Sequence, residues 1–267
     1  MRRGMRRRRL HPVAMLWTAL AAAVLSAGVA LYLRDGALAG EGRPGVDDMP
    51  LVEYPVAGPP RGDLMAVVLS GDGGWSPIAR HVSAQLAAHG IPVVGWNSLR
   101  YYWHPRSAQE ASEDLQKLVD VYGARWHRPR VLVVGFSFGA DATPFLVNLL
   151  PPRERAQVAG VALLSFGRDA AFEFHLRDWL RARPPTRYFT VPEARRLKGT
   201  PLLCVYGTGD DETRVGCPLL RETGAKVVQL PGGHGFAGDW KRVAALVVPR
   251  RTPAPGWAGY AVRARIP

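Results

Sequence analysis

Arg130-Val-Leu-Val-Val-Gly-Phe-Ser137-Phe-Gly-Ala-Asp141 is the stretch whose reading decides the fold. Val131, Leu132, Val133 and Val134 are too uniformly apolar for a half-exposed strand and suit a central parallel strand covered on both faces. The chain must then turn sharply into a helix. Gly135 and Gly139 lack the Cβ atoms that so tight a turn would bring into collision, and Ser137 is left with its Oγ above the sheet at the start of the helix, a nucleophile elbow. In a chain with 29 glycines a bare Gly-x-Ser-x-Gly carries little information; the strand before it and the helix after it supply the context.

Outward from this element, strand and helix patterns alternate. Ala66 to Leu69 reads as a strand that ends in the glycine-rich loop Ser70-Gly-Asp-Gly-Gly-Trp75, and Pro77 to His89 follows as a helix. Ile91 to Trp96 is the next strand. Ser107 and Glu110 make a capping box, after which Ala111, Leu115, Leu118 and Tyr122 recur on one helical face. Pro144 is expected within the first turn of the helix after the elbow, and Pro151-Pro152 should end that helix. Val158 to Leu164, Pro201 to Tyr206 and Ala225 to Leu230 are three more strands. The pattern predicts an α/β-hydrolase fold, a mostly parallel central sheet with helices on both faces. An insertion over about 165–198, rich in Arg and aromatic residues, stands where a lid or substrate-contact segment would.

A serine hydroxyl is a weak nucleophile at neutral pH and needs a base held by an acid. In α/β-hydrolases these follow in the order Ser, Asp or Glu, His. Val205-Tyr-Gly-Thr-Gly-Asp210-Asp211 puts two carboxylates just past a strand, and Leu230-Pro-Gly-Gly-His234 puts a histidine in a flexible loop past the last strand. The other six histidines lack that setting. Asp210 has the spacing from Gly207 usual after such a strand; Asp211 and Asp169 are the alternatives. The developing oxyanion needs fixed N–H donors, expected from Phe138 and from Gly71, Asp72 and Gly73. That glycine loop lacks the Lys-Ser/Thr ending of a nucleotide-binding P-loop.

The amino terminus differs in kind. Met1 to Arg9 carries six arginines and no acid, and Pro12 to Leu33 is uncharged over 22 residues, long enough for a membrane helix, which needs about 20. Ala37-Leu38-Ala39 before Gly40 reads as a cleavage site. Residues 1–39 are expected to send the body across the inner membrane, as a cleaved signal peptide or a retained anchor, with the arginines staying cytoplasmic. Residues 40–248 would form the domain and 249–267 a basic, Pro-rich tail. Seven of the 35 bases and one of the 22 acids precede Gly40, so the remainder holds 28 against 21 and the surplus falls from +13 to +7. A basic exported protein suits anionic surfaces such as phospholipid headgroups; no nucleic-acid recognition motif is present.

Cys204 and Cys217, thirteen positions apart, flank the Asp210-Asp211 loop. In an oxidising compartment a disulfide would tie that loop; otherwise they are two buried thiols. Their spacing does not suit a metal site, and neither metal nor cofactor is expected.

Taken together, Leu69-Ser-Gly-Asp-Gly-Gly-Trp75, Val94-Gly-Trp-Asn-Ser-Leu-Arg-Tyr-Tyr-Trp103, Gly135-Phe-Ser-Phe-Gly-Ala-Asp141 with Pro144-Phe145, Asp210-Asp211 with Cys217, and Leu230-Pro-Gly-Gly-His234 resemble the VirJ/AcvB family of bacterial virulence-associated α/β-hydrolases, from about Met65 to Val248. The resemblance implies Ser137 as nucleophile, His234 as base and Asp210 or Asp211 as acid. It also implies a periplasmic location, links to type IV secretion and its proteins, and hydrolysis of aminoacyl-phosphatidylglycerol, chiefly the lysyl form, at the inner membrane. Two positions depart from the family pattern: Asn97 stands in place of an Asp, and Gly235 in place of a second His. A lysyl ester would want carboxylates at one end and arginine at the other, so Asp72 and Asp141, with Arg100, Trp75 and Tyr102, are the expected substrate contacts. The competing classes are a non-catalytic periplasmic interaction module and a carboxylesterase for small soluble esters.

Overall fold

The computed structural model describes residues 45–56, 62–170 and 188–249. The expected leader, all but one residue of the expected tail, and 171–187 of the expected insertion lie outside them. Nine strands occur among the described residues: β1 (Leu51–Tyr54), β2 (Leu64–Leu69), β3 (Val93–Trp96), β4 (Arg130–Phe136), β5 (Val158–Leu164), β6 (Asp169–Ala170), β7 (Tyr188–Phe189), β8 (Leu202–Gly207) and β9 (Lys226–Leu230). Seven form one sheet in the order β1-β3-β2-β4-β5-β8-β9, while β6 and β7 pair separately. Every neighbouring pair in the large sheet is parallel except β1 against β3.

The helices are α1 (Pro77–Ala88), α2 (Ser98–Tyr101), α3 (Ala108–Trp126), α4 (Phe138–Leu149), α5 (Pro152–Gln157), α6 (Thr190–Arg195) and α7 (Trp240–Val247), with 3-10 turns at Cys217–Thr223 and Phe236–Gly238. The strands alternate between two cores. Val67, Val133, Leu163 and Cys204 face the core shared with α3 and α4; Val68, Val134, Leu164 and Val205 face the one shared with α1 and α7. Burial on both faces is why β4 reads as one apolar run.

Helix α3 shows how the sequence builds this packing. Ser107 Oγ accepts the Glu110 N–H at 3.1 Å and Glu110 Oε2 accepts the Ser107 N–H at 2.7 Å, satisfying two N–H groups left over at the helix start. Ala111, Leu115, Leu118 and Tyr122 then lie fully buried on one face. Truncating a leucine there costs about 2–5 kcal/mol through lost transfer energy and the cavity left behind.

Pro144 lies in the second turn of α4 rather than the first, so the helix forgoes the bond its N–H would have made to Ala140. The surrounding core supplies the stability instead: Ala142, Leu146 and Val147 are fully buried. Strand β1 has no counterpart among the predicted elements. Its residues are all half-buried, which blurs the alternation that would mark a strand, and only pairing with β3 defines it.

Successive strands step from β2 out to β3 and then return past β2 to β4. The loops leaving β2 and β4 therefore part in opposite directions at their carboxyl ends, opening a crevice between them, the place where α/β sheets bind ligands.

Candidate active site

Ser137 occupies that crevice in a backbone conformation with φ 54° and ψ −124°, one that L-residues adopt only when their surroundings enforce it. Close packing enforces it here. A Cβ on Gly135 would lie 2.3 Å from Gly139 O, and one on Gly139 would lie 2.5 Å from Ser70 O. The two glycines let β4, α4 and the loop after β2 touch backbone to backbone, and the serine is left at the apex.

His234 Nε2 is 2.7 Å from Ser137 Oγ, across 97 positions of sequence. Three contacts hold its loop. Ser165 Oγ donates to His234 O at 2.8 Å; the imidazole lies against Phe136 with ring centroids 5.6 Å apart; and the chain before it turns at Gly232, φ 97°. The acid-bearing loop runs alongside, with Thr208 N–H donating to Leu230 O and Gly209 N–H to Gly232 O, both at 2.8 Å. A Cβ on Gly207 would meet Gly232 O at 2.4 Å, so this approach also requires glycine. Ser165, itself at φ 55°, escaped the sequence reading. Its signal was only its position, directly past β5 at the same sheet edge.

Asp210 and Asp211 both line the cavity of about 350 Å³ beside His234, together with Asp141, Ser165 to Gly167, Gly209, Arg214 and Val215. Asp210 Oδ2 accepts the Gly207 N–H at 2.7 Å. Asp211 is committed to its own turn: hydrogen bonds from the Thr213 hydroxyl and N–H hold its carboxyl below the ordinary range. Neither carboxylate is hydrogen-bonded to His234 among the described residues. Asp169 lies in β6, opposite Phe189. Cys204 and Cys217 are joined by a disulfide; Cys204 faces the core as a strand residue and is bonded there.

The loop expected to supply oxyanion donors comes up against Ser137. A Cβ on Gly71 would come within 3.0 Å of the Ser137 Cβ. Gly74 N–H donates to Gly71 O at 3.1 Å and closes the turn, leaving the Asp72 N–H without a hydrogen bond among the described residues. Gly73 is open on its side-chain face. Phe138 supplies the first N–H of α4, at the helix end that favours negative charge.

Asp141, one turn into α4, accepts the Gly167 N–H at 2.6 Å and faces the cavity. Burial raises its pKa well above 3.8, the Gly167 hydrogen bond partly opposes this, and the charges of Asp169 and Asp72 add to the rise. Asp141 therefore keeps its proton to higher pH than an exposed carboxyl does.

Three expected substrate contacts stand elsewhere. Trp75 is buried against Gly95, where a Cβ would come 2.2 Å from its ring, and its Nε1 donates to Tyr54 Oη at 3.3 Å; it plugs the sheet face behind the glycine loop. Tyr102 is fully buried and packs edge-on against Phe138, centroids 5.0 Å apart, so it supports the oxyanion region without lining the cavity. Arg100 is exposed on α2 and does not line the cavity. The two departures from the family pattern also find their explanation. Asn97 Oδ1 caps α2 by accepting the Arg100 N–H at 3.2 Å, a task Asp performs equally well. A side chain at Gly235 would enter open space.

A family model described as "Bacterial virulence protein (VirJ)" matches residues 63–252. The chain belongs to the VirJ family. No curated protein matches it. Among solved structures it is similar to Est1E from Butyrivibrio proteoclasticus, determined alone and with ferulic acid bound; each comparison gives 16% identity and a TM-score of 0.53, covering 74% of this chain and 89% or 92% of the other. It also matches the esterase domain of a Rhodothermus marinus protein at 16% identity and a TM-score of 0.49, over 74% of this chain and 88% of the other. At such identity the likeness to Est1E establishes the fold alone, and this VirJ-family chain has the α/β-hydrolase fold.

Proposed function

We propose that this VirJ-family chain is a periplasmic serine hydrolase that cleaves the aminoacyl ester of an anionic phospholipid, with lysyl-phosphatidylglycerol the favoured substrate. The observation that carries the reading is the 2.7 Å contact between His234 Nε2 and Ser137 Oγ on a strained elbow. His234 takes the Ser137 proton as Oγ attacks the acyl carbon, and the oxyanion is met by the N–H groups of Phe138 and Asp72. Collapse of the tetrahedral species breaks the ester bond; His234 returns the proton to the leaving glycerol oxygen, and the aminoacyl group stays on Ser137. Water then attacks, giving its proton to His234, and the free amino acid departs as Ser137 is regenerated.

Asp210 is assigned as the acid. It shares the cavity with His234 and its loop is hydrogen-bonded to the histidine loop, whereas Asp211 is engaged by Thr213. The charge of the site supports the substrate class. Asp210 and Asp211 line a cavity whose one arginine among the described residues, Arg214, has its side chain 86% exposed and lies beside Asp211, a setting that favours ammonium groups on the acyl portion and disfavours an anionic acid. The family resemblance points the same way.

Purified protein given lysyl-phosphatidylglycerol in mixed micelles should release lysine and phosphatidylglycerol, and Ser137→Ala should release none. Equal release by the variant would overturn the mechanism. Labelling of Ser137 by a fluorophosphonate without lysine release would retain the serine hydrolase and reject this ester; no labelling of folded protein would favour an interaction module.

A further inference from the structure

Adjacent residues at the carboxyl end of β5 hold the main chains of both Ser137 and His234. Leu164 O accepts the Ser137 N–H at 2.8 Å, and Ser165 Oγ donates to His234 O at 2.8 Å. In the sheet, β4 lies on one side of β5 and β9 lies two strands away on the other, so this strand end is a common reference for the two reacting groups. The base has need of one. Gly232, Gly233 and Gly235 surround His234, and glycine gives the chain more conformational freedom than any other residue. His234 is exposed, and the bond from Ser165 is the only hydrogen bond to its main chain among the described residues. The Phe136 ring limits the imidazole on one face, whereas a hydrogen bond fixes distance and direction together.

Ser165 is itself held where its hydroxyl does not follow the loop. It is 5% exposed, and its N–H donates to Val205 O at 2.8 Å. The three residues after it are fastened too: Phe166 O accepts the Gly216 N–H at 2.8 Å, Gly167 N–H donates to Asp141 Oδ1 at 2.6 Å, and Arg168 donates from Nε to Val215 O at 3.0 Å and from Nη2 to Glu212 O at 2.7 Å. The backbone of Ser165 is left-handed, φ 55°, which costs energy at any residue with a Cβ. Glycine would take that conformation without strain and would bring no hydroxyl. We propose that Ser165 is the positioning residue of the general base: its hydroxyl, mounted on the strand end that also holds the nucleophile, sets the 2.7 Å reach from His234 Nε2 to Ser137 Oγ. Proton transfer needs hydrogen-bond reach, and a misplacement of about 1 Å costs on the order of 10²-fold in rate. This role rests on the Ser137–His234 hydrolase reading and is independent of which ester is cleaved.

The test uses Ser165→Ala and Ser165→Gly in the full-length chain, read by the second-order rate of Ser137 labelling with a fluorophosphonate and by kcat and KM on a soluble p-nitrophenyl ester. Both variants should label, and turn over, roughly tenfold more slowly than the parent, with KM within about twofold. Stability separates placement of the base from general loosening. Ser165→Gly relieves the left-handed backbone and should unfold at higher denaturant than Ser165→Ala, yet lose as much rate. In a His234→Ala background, which keeps the carbonyl but has no imidazole to place, Ser165→Gly should leave the residual rate unchanged. Parental labelling and kcat in both variants would overturn the proposal. A loss in KM alone would make the hydroxyl a substrate contact, a loss in alanine but not glycine would trace to backbone strain, and a tenfold loss without the imidazole would place the effect elsewhere; each would overturn it as well. A parent that the fluorophosphonate does not label would remove the serine hydrolase and this role together, whereas a labelled parent matched by its Ser165 variants would remove the role alone.

Discussion

Ser137 stores strain that its neighbours sustain, and substitution can separate that strain from the chemistry. Ser137→Ala and Ser137→Gly should both be inactive, but only glycine accepts φ 54°, ψ −124° without penalty. The glycine variant should be more stable than the alanine variant by about 1 kcal/mol in denaturant unfolding; the opposite order would mean the elbow is relaxed. For the acid, Asp210→Asn should lower kcat roughly 10²- to 10⁴-fold and Asp211→Asn should leave it within a few-fold, as steady-state rates on a soluble ester would show. Asp141 gives a prediction in pH. Its folded-state pKa is raised above 3.8, mainly by burial, so its contribution to stability is present below that ordinary value and lost as pH rises through the raised one. Asp141→Asn keeps an acceptor for Gly167 and carries no such loss, so its melting temperature should gain on the parent as pH is raised from about 4 to about 8; a constant difference would contradict the buried assignment. The meeting of Ser137 and His234 at one sheet edge was readable because each sits just past a strand with glycines around it. The roles of Trp75 and Tyr102 were not, because an aromatic beside a glycine loop reads the same whether it faces substrate or plugs the sheet, and only Gly95 across the pairing shows which.

Among the elements, the loop between β8 and the Cys217–Thr223 turn carries both candidate acids, Asp210 and Asp211, in irregular structure. It is fastened three ways: by the bonds to Leu230 and Gly232, by Gly216 N–H donating to Phe166 O at 2.8 Å, and by the disulfide across 13 positions. Closing a loop of that size removes about 3 kcal/mol of unfolded-chain entropy in the loop model. Cys204→Ala/Cys217→Ala should therefore unfold at lower denaturant by about that amount, and, since the bond anchors the acid loop, should lose kcat as well. A variant with unchanged midpoint would show the bridge to be thermodynamically idle. Helix α3 was legible because capping and periodicity agreed. Strand β1 and the Pro144 position were not, since one depends on a partner 45 positions away, Leu51 against Trp96, and the other on burial that overrides the local preference of proline.

At the scale of the molecule the question is where the folded unit begins. The family match starts at residue 63, yet Val46 is 1% exposed within the core that α3 and α4 share, and β1 hydrogen-bonds along β3 from Leu51 to Tyr54. Glu53 also accepts from Tyr122 Oη at 2.6 Å and pairs with Arg125 at 3.2 Å, tying β1 to α3. A chain beginning at Gly40 keeps all of this. It should retain the soluble-ester rate, because every residue assigned to the site follows Gly40. A chain beginning at Asp63 loses Val46 and β1, which opens the edge of β3, a strand whose four residues are all buried. An uncovered apolar edge of that kind invites pairing between molecules. The shorter chain should elute as aggregate in size-exclusion chromatography and unfold with a depressed, broadened transition, while the longer one elutes as a defined species; a monodisperse, active chain from Asp63 onward would show that the antiparallel edge strand is dispensable to the parallel sheet behind it.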